Sequence, residues 1–328
     1  MSRAWLAIAV LVLGCGGRYG GAGPERAKAP PPGGIENAGL PYDVLDGRTG
    51  RQVDEAAFWG RLAAARAVCV GEDHSNPHHH WVQLQIVRRL VTQRPPGTPF
   101  ALGLEMVQRP FQGVLDDYVA KRIDASALQA RAAWKERWGY DWAFYAPTID
   151  AAILGGGVVL ALNASRELTK QVVRKGLESL TPEERAQVPE LVLDDVAHRA
   201  WFDALMEGMG GAHAHGQGHD KEAAPSAEAA PPPAGEMPSA ERVYTVQVIW
   251  DETMADTAAK WLAGNPNGHA VLLAGNGHCH DSAIVRRLQR RGIRDAVSVR
   301  AVFDKDGEVA EALAKPANDF LVVLHVPH

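Results

Sequence analysis

Apolar residues along this chain fall into short unbroken runs separated by longer stretches of helical spacing. Unbroken runs predict strands over 67–70, 157–162 and 270–274, and apolar stretches with isolated polar residues predict strands over 100–106, 297–303 and 320–326, with the length and β-branched content of sheet strands. After the first run, Val82, Ile86, Val87, Leu90 and Val91 recur at the spacing of one helix face. The same period predicts helices over 55–65, 111–119, 125–134, up to 154, up to 176, 191–209, 240–262 and 282–291. Asp54 and Ser165 stand where N-caps belong, and Thr181-Pro182-Glu183-Glu184 has the spacing of a capping box with proline at the first helical position. Residues 42–46 and 50–53, around Gly47-Arg48-Thr49, suggest a short hairpin. Alternating strand and helix predicts an α/β fold: a central, largely parallel sheet flanked by helices.

Two loops with the same grammar follow strands in this pattern. Gly71-Glu72-Asp73-His74 follows the first core strand and leads through His78-His79-His80 into a helix. Gly275-Asn276-Gly277-His278 follows the strand over 270–274. Glu105 ends the strand over 100–106. The carboxyl ends of parallel strands are where ligands and chemistry collect, so His74, Glu72, Glu105 and His278 are expected to share a cleft. Two imidazoles and a carboxylate can activate water by general base catalysis or hold a metal with open positions. His78, His79 and His80 lie on one helical turn and point in different directions, so at most one or two of them, His79 or His80, face the cleft. No Gly-x-Ser-x-Gly elbow, no Gly-x-Gly-x-x-Gly after a strand and no P-loop occurs, which argues against that serine hydrolase class and against nucleotide cofactors. The segment 134–145 carries six aromatics in twelve residues. It reads as core packing or as the wall of a site for a large flat ligand.

Composition adds the setting. The chain has 328 residues, 46% hydrophobic, enough for one large domain over 41–328. A net charge of −5 without a Lys/Arg cluster gives no case for nucleic acid. At the start, Arg3 precedes an apolar run too short to span a bilayer, ending at Val12-Leu13-Gly14-Cys15. This resembles a bacterial lipobox, so 1–15 is expected to be a lipoprotein signal peptide whose Cys15 becomes lipidated. Residues 16–40 would be a flexible tether. Gly16 after that cysteine favours the periplasmic face of the outer membrane. Residues 210–238 are rich in His, Pro and Ala and read as a disordered insertion, with His213, His215 and His219 too loosely spaced for a specific metal site. Cys69 and Cys279 each adjoin a Gly-x-x-His loop. An exported compartment permits a disulfide if their strands are neighbours, but buried free thiols are the simpler expectation.

The ordered set Gly71-Glu72-Asp73-His74, Leu104-Glu105-Met106 and Gly275-Asn276-Gly277-His278 resembles the ChaN-like family of haem-binding uptake lipoproteins. That family sits in a wider group with erythromycin esterases, TraB/PrgY and Tiki proteins. The resemblance extends through 71–85, 138–146, Leu162-Asn163-Ala164-Ser165-Arg166-Glu167-Leu168 and Trp250-Asp251-Glu252-Thr253-Met254-Ala255, and covers roughly 42–302. It implies a membrane-anchored protein that binds haem, face to face within a homodimer, and works in iron uptake with an outer-membrane haem receptor. It implies a tyrosine as axial ligand; Tyr140 and Tyr145 are the main candidates, Tyr118 and Tyr244 lesser ones, with His79 also near the cofactor. Other branches imply a hydrolase: an esterase with His74 as base, Glu105 its partner and His278 a second polar group, or a metal-dependent protease with the same three residues as ligands of a divalent metal.

Overall fold

The computed structural model describes residues 35, 37–212 and 239–326. The expected leader, Cys15, most of the tether and the His213–His219 segment lie outside the described residues. In chain order the elements are β1 (Tyr42–Asp46), α1 (Glu55–Ala64), β2 (Ala67–Glu72), α2 (Pro77–Gln93), β3 (Phe100–Gln108), α3 (Gln112–Val119), α4 (Ala125–Arg131), α5 (Trp134–Arg137), α6 (Ala146–Leu154), β4 (Val158–Asn163), α7 (Arg166–Lys175), α8 (Pro182–Arg185), α9 (Val196–Ala212), α10 (Ala240–Gly264), β5 (His269–Gly275), α11 (Arg286–Arg290), β6 (Ala296–Phe303), α12 (Glu308–Ala314) and β7 (Phe320–Leu324).

The seven strands form one sheet in the order β1-β7-β6-β2-β5-β3-β4. All neighbours are parallel except β1 and β7, which is the expected α/β architecture. Alternation along the central strands sorts the core into two layers. Val68, Val70, Leu102, Leu104, Val271 and Leu273 join a cluster with Phe58, Ile86 and Ile149, from α1, α2 and α6. Ala67, Cys69, Ala101 and Leu272 join a second cluster with Met254, Ala258 and Leu262 of α10 and Leu288 of α11. From β2 the chain crosses to β3 through α2; from β5 it crosses to β6 through α11, in the opposite direction along the sheet. The crossovers diverge at the carboxyl ends of these neighbouring strands, which opens a crevice there.

Local signals explain most boundaries. Asp54 accepts hydrogen bonds from the Ala56 and Ala57 amides, a cap worth about 1 kcal/mol. Asn76 caps α2 with Pro77 behind it, and the capping box at Thr181 and Glu184 is formed. Ser165 occupies the N-cap position of α7 without capping it; its hydroxyl donates to Glu167 Oε2 instead, at 2.9 Å. The helix expected from 191 begins at Val196, because Asp195 takes the Ala197 and His198 amides. The expected hairpin is a minor feature: β1 pairs mainly with β7, and the return segment touches it at one bridge, Leu45 to Gln52. Residues assigned to the end of the tether pack on the domain, where the Trp81 indole donates to the Ala38 carbonyl at 3.0 Å. The outer edge of β4 is closed by one side chain. Gln112 donates to the Val159 carbonyl at 2.8 Å and accepts from the Ala161 amide at 2.7 Å.

Cys69 and Cys279 form a disulfide, with Cα atoms 5.3 Å apart, which corrects the expectation of free thiols. β2 and β5 are hydrogen-bonded neighbours with Cys69 in register with Leu272. The chain after β5 then folds back so that Cys279 Sγ lies 3.9 Å from the Leu272 carbonyl.

Candidate functional site

β2 ends in Glu72, whose side chain is wholly buried. A carboxylate in that position is costly unless its oxygens are paired. Here Oε1 accepts from His74 Nδ1 at 2.7 Å and from the Tyr145 hydroxyl at 2.8 Å, and Oε2 accepts from Gln83 Nε2 at 2.7 Å. His80 Nδ1 lies 3.6 Å from Oε2. Burial alone would raise the Glu72 pKa, but His80, His74 and Gln83 hold it down at about 2. With its Nδ1 proton directed at Glu72, a neutral His74 ring would present Nε2 as an acceptor.

The second loop is built on the other layer. Asp251 and Glu252 of α10 are fully buried. Asp251 Oδ1 binds His278 Nδ1 at 2.6 Å, and Oδ2 lies 3.0 Å from His198 Nε2 and 3.8 Å from Arg287. Burial opposes this charge, yet Arg287 and His278 keep the Asp251 carboxyl far below the usual range. His278 turns Nε2 toward Glu105 Oε1, 3.4 Å away, while Glu105 Oε2 accepts the Gly275 amide at 2.7 Å. Burial would lower the His278 pKa, but Glu105 and Asp251 raise it above the ordinary value. That stabilisation is present at low pH and is lost as pH rises through the folded pKa.

The two networks meet at a glycine. A Cβ on Gly275 would lie 2.9 Å from His74 Cε1 and 3.8 Å from Glu105 Oε2. A Cβ on Gly71 would lie 2.3 Å from Asn276 Oδ1. Neither glycine has a positive φ. Their role is clearance for polar side chains.

His74 with Glu72, and His278 with Glu105, thus lie around Gly275 at the carboxyl ends of β2, β3 and β5. His80 joins them, its Nδ1 3.1 Å from Gln83 Oε1 and its Nε2 3.1 Å from the His74 carbonyl, oxygens that can only accept. His79 instead accepts the Asp73 amide on Nδ1 at 2.8 Å and stacks on Phe303. Burial pushes its pKa down to about 3. Tyr145 is fully buried with its hydroxyl on Glu72, and burial followed by that carboxylate raises its pKa well above 10. Tyr140 is half-buried, its ring 5.0 Å from that of His74 and 5.5 Å from that of Trp138. Trp138 lies 4.6 Å from the His74 ring. Tyr118 donates to Asp150 at 3.2 Å, and burial followed by Asp150 pushes its pKa up to about 12. The Tyr244 hydroxyl lies 3.2 Å from His198 Nδ1. Among the described residues no group of three or more His, Cys, Asp or Glu side chains is disposed to hold a metal ion.

Sequence reasoning did not single out Gln83, His198, Asp251 or Arg287. For two of them a signal exists. The Asp251-Glu252 pair interrupts an otherwise apolar helix face, and Gln83 is polar at a buried position of α2. Charges on an inward face need partners, so they point to a network.

The chain of Campylobacter jejuni ChaN, solved with cofacial haem, superposes with a TM-score of 0.60 over 87% of this chain and 97% of that one, at 17% identity. An erythromycin esterase mutant in its open conformation gives a TM-score of 0.42 over 86% of this chain and 82% of that one, at 14% identity. The type III effector HopBA1 gives 0.41 over 88% of this chain and 98% of that one, at 11% identity. The first of these shows a shared fold. No curated protein sequence matches the chain. The profile of the family described as haem-binding uptake, Tiki superfamily, ChaN matches residues 58–288, and the chain belongs to that family.

Proposed function

We propose that this protein binds haem at the cleft formed by His74 and Tyr140 and serves haem uptake. The observation that carries the reading is the Tyr140–His74–Glu72 arrangement. Tyr140 is half-exposed beside an imidazole whose Nδ1 is fixed on a buried carboxylate. The fixed tautomer leaves His74 Nε2 able to take a phenol proton, and a phenolate suits ferric haem. Tyr140 leaves part of its ring exposed, while Trp138 is buried against His74 and holds that ring from the side. When bound, haem supplies an iron centre for the phenolate; Glu72 holds the His74 ring in place, and Gln83 and Tyr145 hold Glu72.

Titration with haemin, followed in the Soret band, tests this. Saturable binding is expected, weakened at least about tenfold by Tyr140→Phe and by His74→Ala, a loss of roughly 1.4 kcal/mol or more. Tyr145→Phe is expected to act on stability more than on the spectrum, because its hydroxyl is already taken up by Glu72. Undiminished binding by Tyr140→Phe would remove this tyrosine as the ligand.

A second reading rests on His74, whose ring is oriented by Glu72 as that of a general base would be, with Glu105 and His278 close by. Absence of a Soret shift, together with ester or peptide hydrolysis abolished by His74→Ala, would favour the hydrolase.

The uptake role includes a lipid anchor on Cys15, a site on the periplasmic face of the outer membrane, transfer to or from an outer-membrane haem receptor, and a homodimer holding two haems face to face. The lipobox-like Val12-Leu13-Gly14-Cys15 supports the anchor. Metabolic labelling with a radioactive fatty acid is expected to mark the wild-type chain and not Cys15→Ala; equal labelling would exclude this anchor.

A further inference from the structure

His80 is buried at the end of the first turn of α2. Its ring stacks on Phe144, with centroids 4.7 Å apart and planes 18° apart, and meets the edge of Tyr145 at 4.8 Å. Gln83, one helical turn further on, fixes what this ring must carry. The Gln83 amide nitrogen faces two oxygens, Glu72 Oε2 at 2.7 Å and the Val70 carbonyl at 3.3 Å. A carboxylate and a carbonyl only accept, so the nitrogen belongs on that side and the amide oxygen on the other. That oxygen faces His80 Nδ1 at 3.1 Å, and the His74 carbonyl faces His80 Nε2 at 3.1 Å. Both ring nitrogens therefore point at acceptors. A neutral imidazole has one N–H and would set a lone pair against one of these oxygens, whereas an imidazolium satisfies both.

The charge has a partner. Glu72 is wholly buried, and its Oε2 lies 3.6 Å from His80 Nδ1. The other groups around this carboxylate bring no such charge. Gln83 and the Tyr145 hydroxyl are neutral donors. His79, the next residue, accepts the Asp73 amide on Nδ1 and so is not an imidazolium. A buried carboxylate without a cation beside it takes up a proton or draws a second proton onto a neighbouring imidazole, here His74 at 2.7 Å. The face of Phe144 adds the attraction of a ring quadrupole for a cation.

We infer that His80 is a fixed imidazolium, the counter-charge of Glu72, and a positioning residue that leaves His74 neutral by carrying the positive charge itself. The charge is supplied from α2, behind Glu72, and not by the ring beside Tyr140. The consequence for the ligand rests on the haem-binding reading above. A neutral His74 with its Nδ1 proton on Glu72 can take the Tyr140 proton on Nε2; a His74 that already carries two protons cannot.

Nitrogen NMR of the ligand-free protein, labelled in its histidine rings, tests this. At about pH 8, above the ordinary imidazole value of about 6.5, both His80 nitrogens are expected to resonate as protonated, and His74 to show one protonated and one bare nitrogen. In His80→Gln the charge is expected to move to His74, whose two nitrogens both become protonated, and haemin affinity is expected to fall about tenfold. A neutral His80 in the wild type overturns the inference. So does a His74 spectrum unchanged in His80→Gln, which would mark His80 as structural only even if the melting temperature drops. Undiminished haemin binding by His80→Gln despite a doubly protonated His74 overturns the positioning role. A wild-type protein with both signatures that takes up no haemin overturns the haem reading and leaves the charge assignment standing. Should His80→Gln not fold, the wild-type spectrum, assigned through the carbon–nitrogen couplings of each ring, still decides the charge, and His80→Asn supplies a second neutral variant.

Discussion

A chain in which Cys69 and Cys279 are both alanine is expected to lose about 5 kcal/mol or more of unfolding free energy. The two cysteines are 210 residues apart in sequence, and closing so long a loop removes entropy from the unfolded chain worth about 5 kcal/mol in the chain-entropy treatment. The native side adds little opposing cost. Both sulfurs are buried, and each replacement leaves a space of one sulfur atom in a packed layer, which increases the loss further. Urea unfolding of the oxidised protein, the reduced protein and the double variant measures it. Midpoints that coincide across the three would mean that the bond constrains nothing. The bond also joins β2 to the residue after His278, so the same variants should show a looser His278 loop in amide exchange.

Glu72→Gln is expected to cost about 3 kcal/mol at neutral pH and to change the shape of the acid limb of the stability curve. In the wild type the Glu72 pKa is about 2 in the folded protein against an ordinary 4.5. A group with a depressed folded pKa stabilises at pH above its unfolded pKa and loses that contribution as pH falls toward the folded one. The window is therefore about 4.5 down to about 2, and the pKa difference corresponds to roughly 3 kcal/mol. An amide at this position keeps the shape but turns one acceptor into a donor. His74 Nδ1, Gln83 Nε2 and the Tyr145 hydroxyl then compete for the single remaining oxygen. Denaturant midpoints across pH 2–7 for both proteins decide the matter. Parallel acid limbs would show that Glu72 is not held as an ionised carboxylate.

The fold was legible where burial and period agree. β2, β3 and β5 are buried on both faces, so their runs stay apolar until near their carboxyl ends, where Glu72 and Glu105 stand. Strand order was not legible, because nothing in an apolar run says which neighbour it meets. The disulfide depended on that order and was therefore missed. The helix expected over 282–291 is broken at Ala283, with φ −99° and ψ −120°, where the chain leaves the His278 loop. Of the site, His74, Glu105 and His278 were visible because the loops repeat a motif at strand ends. Asp251 and His198 were not, since a buried charge is an exception to the pattern that locates helices. Between Tyr140 and Tyr145 the sequence offers no distinction. Packing separates them, placing one hydroxyl on Glu72 and leaving the other residue half-exposed at the cleft.

Gln112 has a further consequence for how copies of this chain can meet. An open strand edge is a template on which a second chain can polymerise. On β4 the carbonyl of Val159 and the amide of Ala161 are already answered by a side chain that copies a peptide group in donor and acceptor alike. A second molecule would have to evict that amide before it could extend the sheet. Open-ended growth of the sheet at this edge is thereby opposed.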